Sequence, residues 1–401
     1  MDVTGNRLSL WLIVTIALIS MVGPFSIDTY LPSFPAIETD FHVNRVLLSQ
    51  SIGFYLLASA VSTLFWGALS DSIGRRKIIL GTLGIYLFAS LGCALASDFS
   101  TFLLFRVIQG IAASGGMVAG RAMIRDSFSA QQAHRAMAYV MMLFALAPAI
   151  APIIGGWLHD VFGWRSVFYF LAMYGLTIML MSQFFLQESL RQNERKSFHP
   201  LAIIRVYCST VKNARFVALI MTLGACFGGL FIYISGSPTL IFDILKMDST
   251  QFSVLFVPFT SGIILGAFVS GKLSHKWSTP KIVMIALIVM GVASMLNITQ
   301  AIWFNTSVYS VVAPMLLYAF GVAIALPGIS ILALDCFPQN RGSASAVQSF
   351  TQTILAAIST SIVVPMLTAN IIDFAIAQTL FFTVSLVFWM VVIIGKGKAR
   401  G

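Results

Sequence analysis

The sequence predicts an all-α membrane protein: twelve transmembrane helices in two pseudo-symmetric halves of six. Three observations predict it. Of 401 residues, 58% are hydrophobic and only 9% charged, and the mean hydropathy is +0.91, so polar side chains are too few to coat a water-soluble globule. Uncharged runs recur along the chain at the length of about 20 residues that a hydrocarbon core of roughly 30 Å requires. When the spans are alternated across a membrane from an internal N-terminus, 20 of the 24 Lys and Arg residues fall on the cytoplasmic side.

The runs are taken in order. The first, 8–27, carries no charge and is preceded closely by a single basic residue, Arg7. It is longer than the apolar region of a signal peptide and lacks a small-residue cleavage site, so it is expected to stay as a span. It closes with "GPFSIDTYLPSFP", which sets one carboxylate, Asp28, among apolar residues and three prolines. Further runs occupy 46–70, 78–97, 99–120 (interrupted by Arg106), 136–159, 166–187, 216–242, 249–271, 282–334, 342–372 and 374–395. The run 282–334 is too long for one helix, and its polar middle, "NITQAIWFNTS", is expected to be a turn. That makes twelve spans, with both termini on the cytoplasmic side.

The longest polar stretch, Gln187 to Arg215, separates two groups of six. It predicts halves 1–188 and 214–401 joined by a cytoplasmic linker, 189–213. An internal repeat agrees: "GALSDSIGRRK" (67–77) follows the second span and "GKLSHKWSTPK" (271–281) the eighth. Duplicated halves related by an axis along the membrane normal build one large class of secondary transporters.

Several function classes are excluded. The formal charge of +10 suggests nucleic acid, but its distribution obeys the positive-inside pattern instead. The four cysteines show no C-x-x-C spacing and the five histidines no ligand cluster, so neither a disulfide framework nor a metal is expected. No H-E-x-x-H, G-x-S-x-G or G-x-x-x-x-G-K-[ST] occurs, which argues against an enzyme or a nucleotide-driven pump. The partners expected are a small-molecule substrate, protons and the lipid bilayer, with no cofactor and with a single chain as the working unit.

Charges inside spans carry the functional signal. Placing one there costs roughly 2.5–3.5 kcal/mol on insertion scales, and it normally faces a partner or a wet cavity. Arg106 is the clearest case, and Asp28 falls at a similar depth by helical rise. Arg106 has the alternative of satisfying helix-end carbonyls, and Asp28 that of ending a helix near Pro32 and Pro35. Facing a cavity, the two make a proton-coupling device, because a carboxyl's proton affinity follows the charge near it. In the tight loop after span two, Gly67 and Gly74 suit a close turn, and Asp71 with Arg75, Arg76 and Lys77 can form a network that breaks and reforms. Tyr30, Tyr55, Gln109, Tyr139, Tyr233, Gln348 and Gln352 are candidate substrate contacts, the last two sharing a helix face. Pro148 and Pro152 lack backbone donors and bend span five, while Gly155 and Gly156 permit close packing or serve packing alone.

These motifs resemble a known family. "GALSDSIGRRK" is similar to the signature loop of the major facilitator superfamily, with Ser72 where a basic residue is common. "LLFRVIQGIAAS" (Leu103 to Ser114) resembles the fourth-span motif of its proton-linked drug antiporters, and "APAIAPIIGG" (Ala147 to Gly156) the fifth-span antiporter motif, with Ala151 in place of a common Gly. "DTYLPSFP", "GRAMIRDSF" (Gly120 to Phe128) and "GSASAVQSF" (Gly342 to Phe350) resemble the bicyclomycin-resistance (Bcr/CflA) branch of twelve-span efflux proteins. The resemblance implies proton-coupled export of small molecules across a bacterial inner membrane by alternating access, with an uptake symporter of the same fold as the alternative. It also implies an inner gate where the loop's acid, Asp71, meets the start of span eleven; Arg121, Arg125 and Asp126 fall near Asp71 at the cytoplasmic end of span four, and Asp335, at the end of span ten, is placed to join this network.

Overall fold

The computed structural model describes residues 3–195, 198–367 and 370–398. Of the basic residues assigned to one side above, Lys196 and Arg400 lie outside the described residues. Two compact units are present, one of residues 1–44 and 54–203, the other of residues 45–53 and 204–401. The first turns of one long helix, Arg45–Gly53, thus belong to the second unit.

In the first unit α1 (Val3–Asp28) stops where Pro32 and Pro35 withhold the backbone donors a continuing helix needs. A single 3₁₀ turn, Leu31–Ser33, leads into α2 (Phe34–Phe41), which ends on His42 in the left-handed conformation at φ 52°. Then follow α3 (Arg45–Ile73), α4 (Arg75–Leu95), α5 (Phe99–Ser127), α6 (Ala130–Phe162) and α7 (Arg165–Phe185). Asp98 caps α5: Oδ2 accepts from Thr101 Oγ1 at 2.7 Å and Oδ1 from Thr101 N at 2.9 Å, and these bonds hold the carboxyl below its ordinary range.

In the second unit α8 (Pro200–Thr210) precedes α9 (Ala214–Pro238), α10 (Ser253–Ser274), α11 (Thr279–Trp303), α12 (Val308–Leu334), α13 (Arg341–Ile358), the short α14 (Val364–Met366) and α15 (Ile371–Lys398). Two π-helical segments, Thr239–Ile244 and Ser359–Val363, extend α9 and α13. Among the described residues, twelve helical segments are long and apolar enough to cross a membrane, and none is a strand.

The sequence repeat is a structural repeat. In the first unit α4 packs on α5 and α7, and α1 on α5, α6 and α7. In the second, α11 packs on α12 and α15, and α9 on α12, α13 and α15. Counted by span, each of these pairs in one unit has its counterpart in the other, as duplication requires. One expectation needs correction. Asn297 to Trp303 do not turn but complete α11, and the break falls at Phe304 to Ser307. Asn297 stays helical because its polar group is satisfied inside: Nδ2 donates to Tyr233 Oη and, at 2.7 Å, to Gln378 Oε1.

Candidate functional site

The first unit holds a fully buried cation. Arg106 lies two turns into α5 with no exposed surface, held by groups from α1 and the turn that follows it, from α3 and from α5 itself. Nη1 donates to the Ser26 carbonyl at 3.0 Å and to Gln109 Oε1 one turn along. The guanidinium lies over two tyrosine rings, 4.6 Å from the centroid of Tyr30 and 4.7 Å from that of Tyr55. Each face is worth roughly 0.5–2 kcal/mol, more when desolvated. Gln109 is fixed in turn, its Nε2 donating to Ser90 Oγ at 2.8 Å. Ser26 and Tyr86 share a hydroxyl–hydroxyl bond of 2.7 Å beneath.

What the cation lacks is equally informative. Among the described residues Arg106 has no carboxylate within ion-pair distance, and its Nε and Nη2 have no hydrogen-bond partner. Asp28 ends α1 two residues beyond the carbonyl that Arg106 grips, so the two share a level of the unit. It is 3% exposed and has neither hydrogen bond nor ion pair among the described residues. A buried carboxyl and a buried guanidinium thus lie at one level of the unit without pairing with each other.

A second cluster closes the loop between α3 and α4. Gly74 turns the chain at φ 118°, a value L side chains rarely adopt, and presents no Cβ to the carboxylate of Glu188. Arg75, 5% exposed, organises the cluster: it pairs with Asp71 one turn back and through Nε with Asp126 at 3.1 Å, and its Nη1 donates to Ser70 Oγ at 2.6 Å. Its backbone N–H donates to Glu188 Oε1 at 2.9 Å, a carboxylate at the head of α4 where the helix dipole favours negative charge. Arg76 reaches the Gln183 carbonyl at 2.8 Å. Sequence reasoning placed Asp71, Arg75 and Asp126 here but missed Glu188, because an acid at the head of a polar linker carries no local signal.

The remaining residues divide. Gly67 packs loosely, a Cβ there being 3.8 Å from Val118. Arg121 and Arg125 form no ion pair among the described residues. Asp335 pairs with Arg341 at 3.0 Å in the second unit, both largely exposed. Tyr30, Tyr55 and Gln109 all gather on Arg106. Tyr139 is exposed on α6, whereas Tyr233 is buried in the second unit with its hydroxyl bound by Asn297. Gln348 Nε2 donates to Ser330 Oγ at 2.7 Å, and Gln352 is half-buried one turn away. Pro148 and Pro152 sit within a continuous α6; Gly155 and Gly156 are buried there.

Comparison with known proteins agrees with this architecture. The Major Facilitator Superfamily family profile matches residues 16–360. The chain is 28% identical over 368 residues to the bicyclomycin resistance protein homolog of Haemophilus influenzae, covering 88% of this chain and 89% of that protein. It is 25% identical to the chloramphenicol resistance protein of Pseudomonas aeruginosa, covering 90% and 86%. Among solved structures, a D-xylose–proton symporter superposes with a TM-score of 0.72 at 16% identity, covering 94% of this chain and 97% of the symporter. At that identity the likeness shows the fold alone. Twelve apolar helices, a duplicated packing pattern and a profile match across most of the chain lead to one assignment: the protein is a multi-pass, membrane-embedded transporter belonging to the major facilitator superfamily.

Proposed function

We propose that the chain is a proton-driven exporter of small drug-like or metabolite molecules, working by alternating access in a bacterial inner membrane. The observation that carries this reading is the buried, unpaired combination of Asp28 and Arg106 at one level of the first unit. Ionisable groups at such depth are by default parts of a substrate or ion pathway. In low dielectric each responds to the other's charge and to any proton or polar substrate that enters. The fourth- and fifth-span motifs, and relatives named for resistance to bicyclomycin and chloramphenicol, support export over uptake. On this reading residues 1–188 and 214–401 act as halves joined by 189–213, and the single chain is the working unit.

The test compares compounds retained by cells with and without the protein, chloramphenicol and bicyclomycin included, under an imposed pH gradient. Depletion of a compound set supports export. Accumulation would assign uptake instead, and identical profiles would overturn transport of small drug-like molecules.

Orientation is checked separately. With the four native cysteines replaced, Gln192→Cys and Asn305→Cys lie on exposed segments after the sixth and ninth spans. A membrane-impermeant thiol reagent applied to intact cells is expected to label the second and spare the first. Labelling of the first would reverse the assigned orientation.

The loop cluster is proposed as an inner gate. Asp71→Asn removes one charge and little volume, leaving Arg75 with Asp126, Ser70 and Glu188. Asp71 itself is partly exposed and Arg75 keeps Asp126 and Ser70, so insertion and thermal stability are expected to persist. The rate of switching, read from accessibility of single cysteines on either side, should change severalfold. Normal switching and normal transport would reduce Asp71 to an ordinary loop residue.

A further inference from the structure

We propose that His159 and Ser33 relay the proton between the outer solution and Asp28, an inference that rests on the exporter reading above. The argument begins where α1 and α6 touch. Gly155 abuts the Thr29 carbonyl so closely that a Cβ would overlap it, which sets the two backbones in contact one residue beyond Asp28. From that contact both chains run toward the same end. Residues four apart share a helix face, so His159 stands one turn beyond Gly155 on the face turned to α1. Ser33 stands four residues beyond Thr29, in the Leu31–Ser33 turn against which α6 packs.

Both side chains carry an unexplained polar atom. Ser33 is fully buried and its Oγ has no partner among the described residues. His159 is half-buried, and its Nδ1 is buried without a partner. Leaving such a group unsatisfied costs about 1–3 kcal/mol, and packing alone gives no reason to place two of them along one seam. A water held between polar atoms satisfies both and conducts protons. His159 lies in the last turn of α6, Ser33 in the turn packed against that helix, and Asp28 one residue before the Thr29 carbonyl, so by level along the two chains imidazole, hydroxyl and carboxyl are ordered from the outer end inward. The other charged groups on the elements around this end of α6 are few. Asp160 follows on the same helix; Glu38 and Asp40 stand on α2, and Asp40 pairs with Arg165 of α7 at 2.6 Å and accepts from Trp164 Nε1 at 3.2 Å. Asp98 of α5 is engaged by Thr101. Only two described groups here, His159 and His42 at the end of α2, are histidines, the side chain whose ordinary titration falls between pH 5 and 8, and of the two His159 is the one on α6.

The transfer balances. A proton from the outer solution bonds Nε2 of the neutral imidazole, and the Nδ1–H then breaks. That proton passes through water at Ser33 to a carboxylate oxygen of Asp28. One N–H bond is lost as one O–H bond forms, and the ring ends neutral.

The test follows Asp28 itself. In reconstituted vesicles, a pH jump in the solution bathing the outer end is followed by the infrared band of a protonated carboxyl, assigned by its loss in Asp28→Asn. His159→Gln and Ser33→Ala are each expected to slow the band's appearance about tenfold, and imidazole in the outer solution should restore the rate in His159→Gln. His159→Asn should behave as His159→Gln, which guards against a folding defect in one variant. Unchanged rates in both His159→Gln and Ser33→Ala overturn the relay and leave the reading of Asp28 standing. Slowing in His159→Gln that imidazole does not relieve makes the residue structural and also overturns it. Absence of any Asp28-dependent band overturns the relay and the coupling role together.

Discussion

Asp28→Asn is expected to abolish uphill export driven by a pH gradient while substrate exchange down its own gradient continues. Asparagine matches the carboxyl in size and cannot titrate, so the variant removes the exchangeable proton and little else. The position makes it tolerable: Asp28 is 3% exposed, ends α1, and supports no hydrogen bond or ion pair among the described residues that the amide would break. Packing is therefore expected to survive, with thermal stability near that of the parent. The effect falls on coupling, where loss of a positioned proton carrier is worth about a hundredfold or more. Substrate-induced proton release in reconstituted vesicles reads it directly. If Asp28→Asn still moves protons with substrate at the parent stoichiometry, the carboxyl is structural and coupling resides elsewhere.

The fold was legible because membrane burial writes itself into composition. A span needs about 20 apolar residues wherever it lies, and no tertiary partner has to be known to see it. Asn297 shows the limit. A polar residue late in a long apolar run resembles a turn, and only the facing Tyr233 and Gln378 explain why α11 runs on through it. The site divides in the same way. Arg106 and Asp28 stood out because a charge in an apolar run is costly, and Gln109 came with the fourth-span pattern. Ser26, which anchors that group through its backbone carbonyl, and Ser90, which does so through its hydroxyl, were invisible, since every residue carries a carbonyl and small hydroxyls recur throughout these helices and usually bond their own backbone. The tyrosines, candidate polar handles for substrate in the sequence, fare unevenly. Tyr30 and Tyr55 prove to lie against the guanidinium, Tyr233 against Asn297, and Tyr139 on an exposed face. Nothing local to a tyrosine distinguishes these three surroundings.

The cage around Arg106 makes the second large effect. Arg106→Ala removes the donor to the Ser26 carbonyl and to Gln109, leaves two buried acceptors short at about 1–3 kcal/mol each, and opens a void between two tyrosine rings. Coupled export is expected to fall to background, with a lowered melting temperature in detergent. Arg106→Lys keeps the charge within reach of the rings. An ammonium, however, cannot lie flat between two faces while also bridging a carbonyl and an amide, so only partial activity is expected. Tyr55 separates the contributions of ring and hydroxyl. Tyr55→Phe removes a hydroxyl that interacts with Ser26 but keeps the cation–π face and should retain most coupling, while Tyr55→Leu removes the face and should lose about tenfold. The same proton-release measurement ranks all four variants. Should Tyr55→Leu match the parent, the ring face does not hold the cation. Should Tyr55→Phe fail as badly as Tyr55→Leu, the hydroxyl meets a proton or substrate during transport, and the cage is part of the pathway as well as its support.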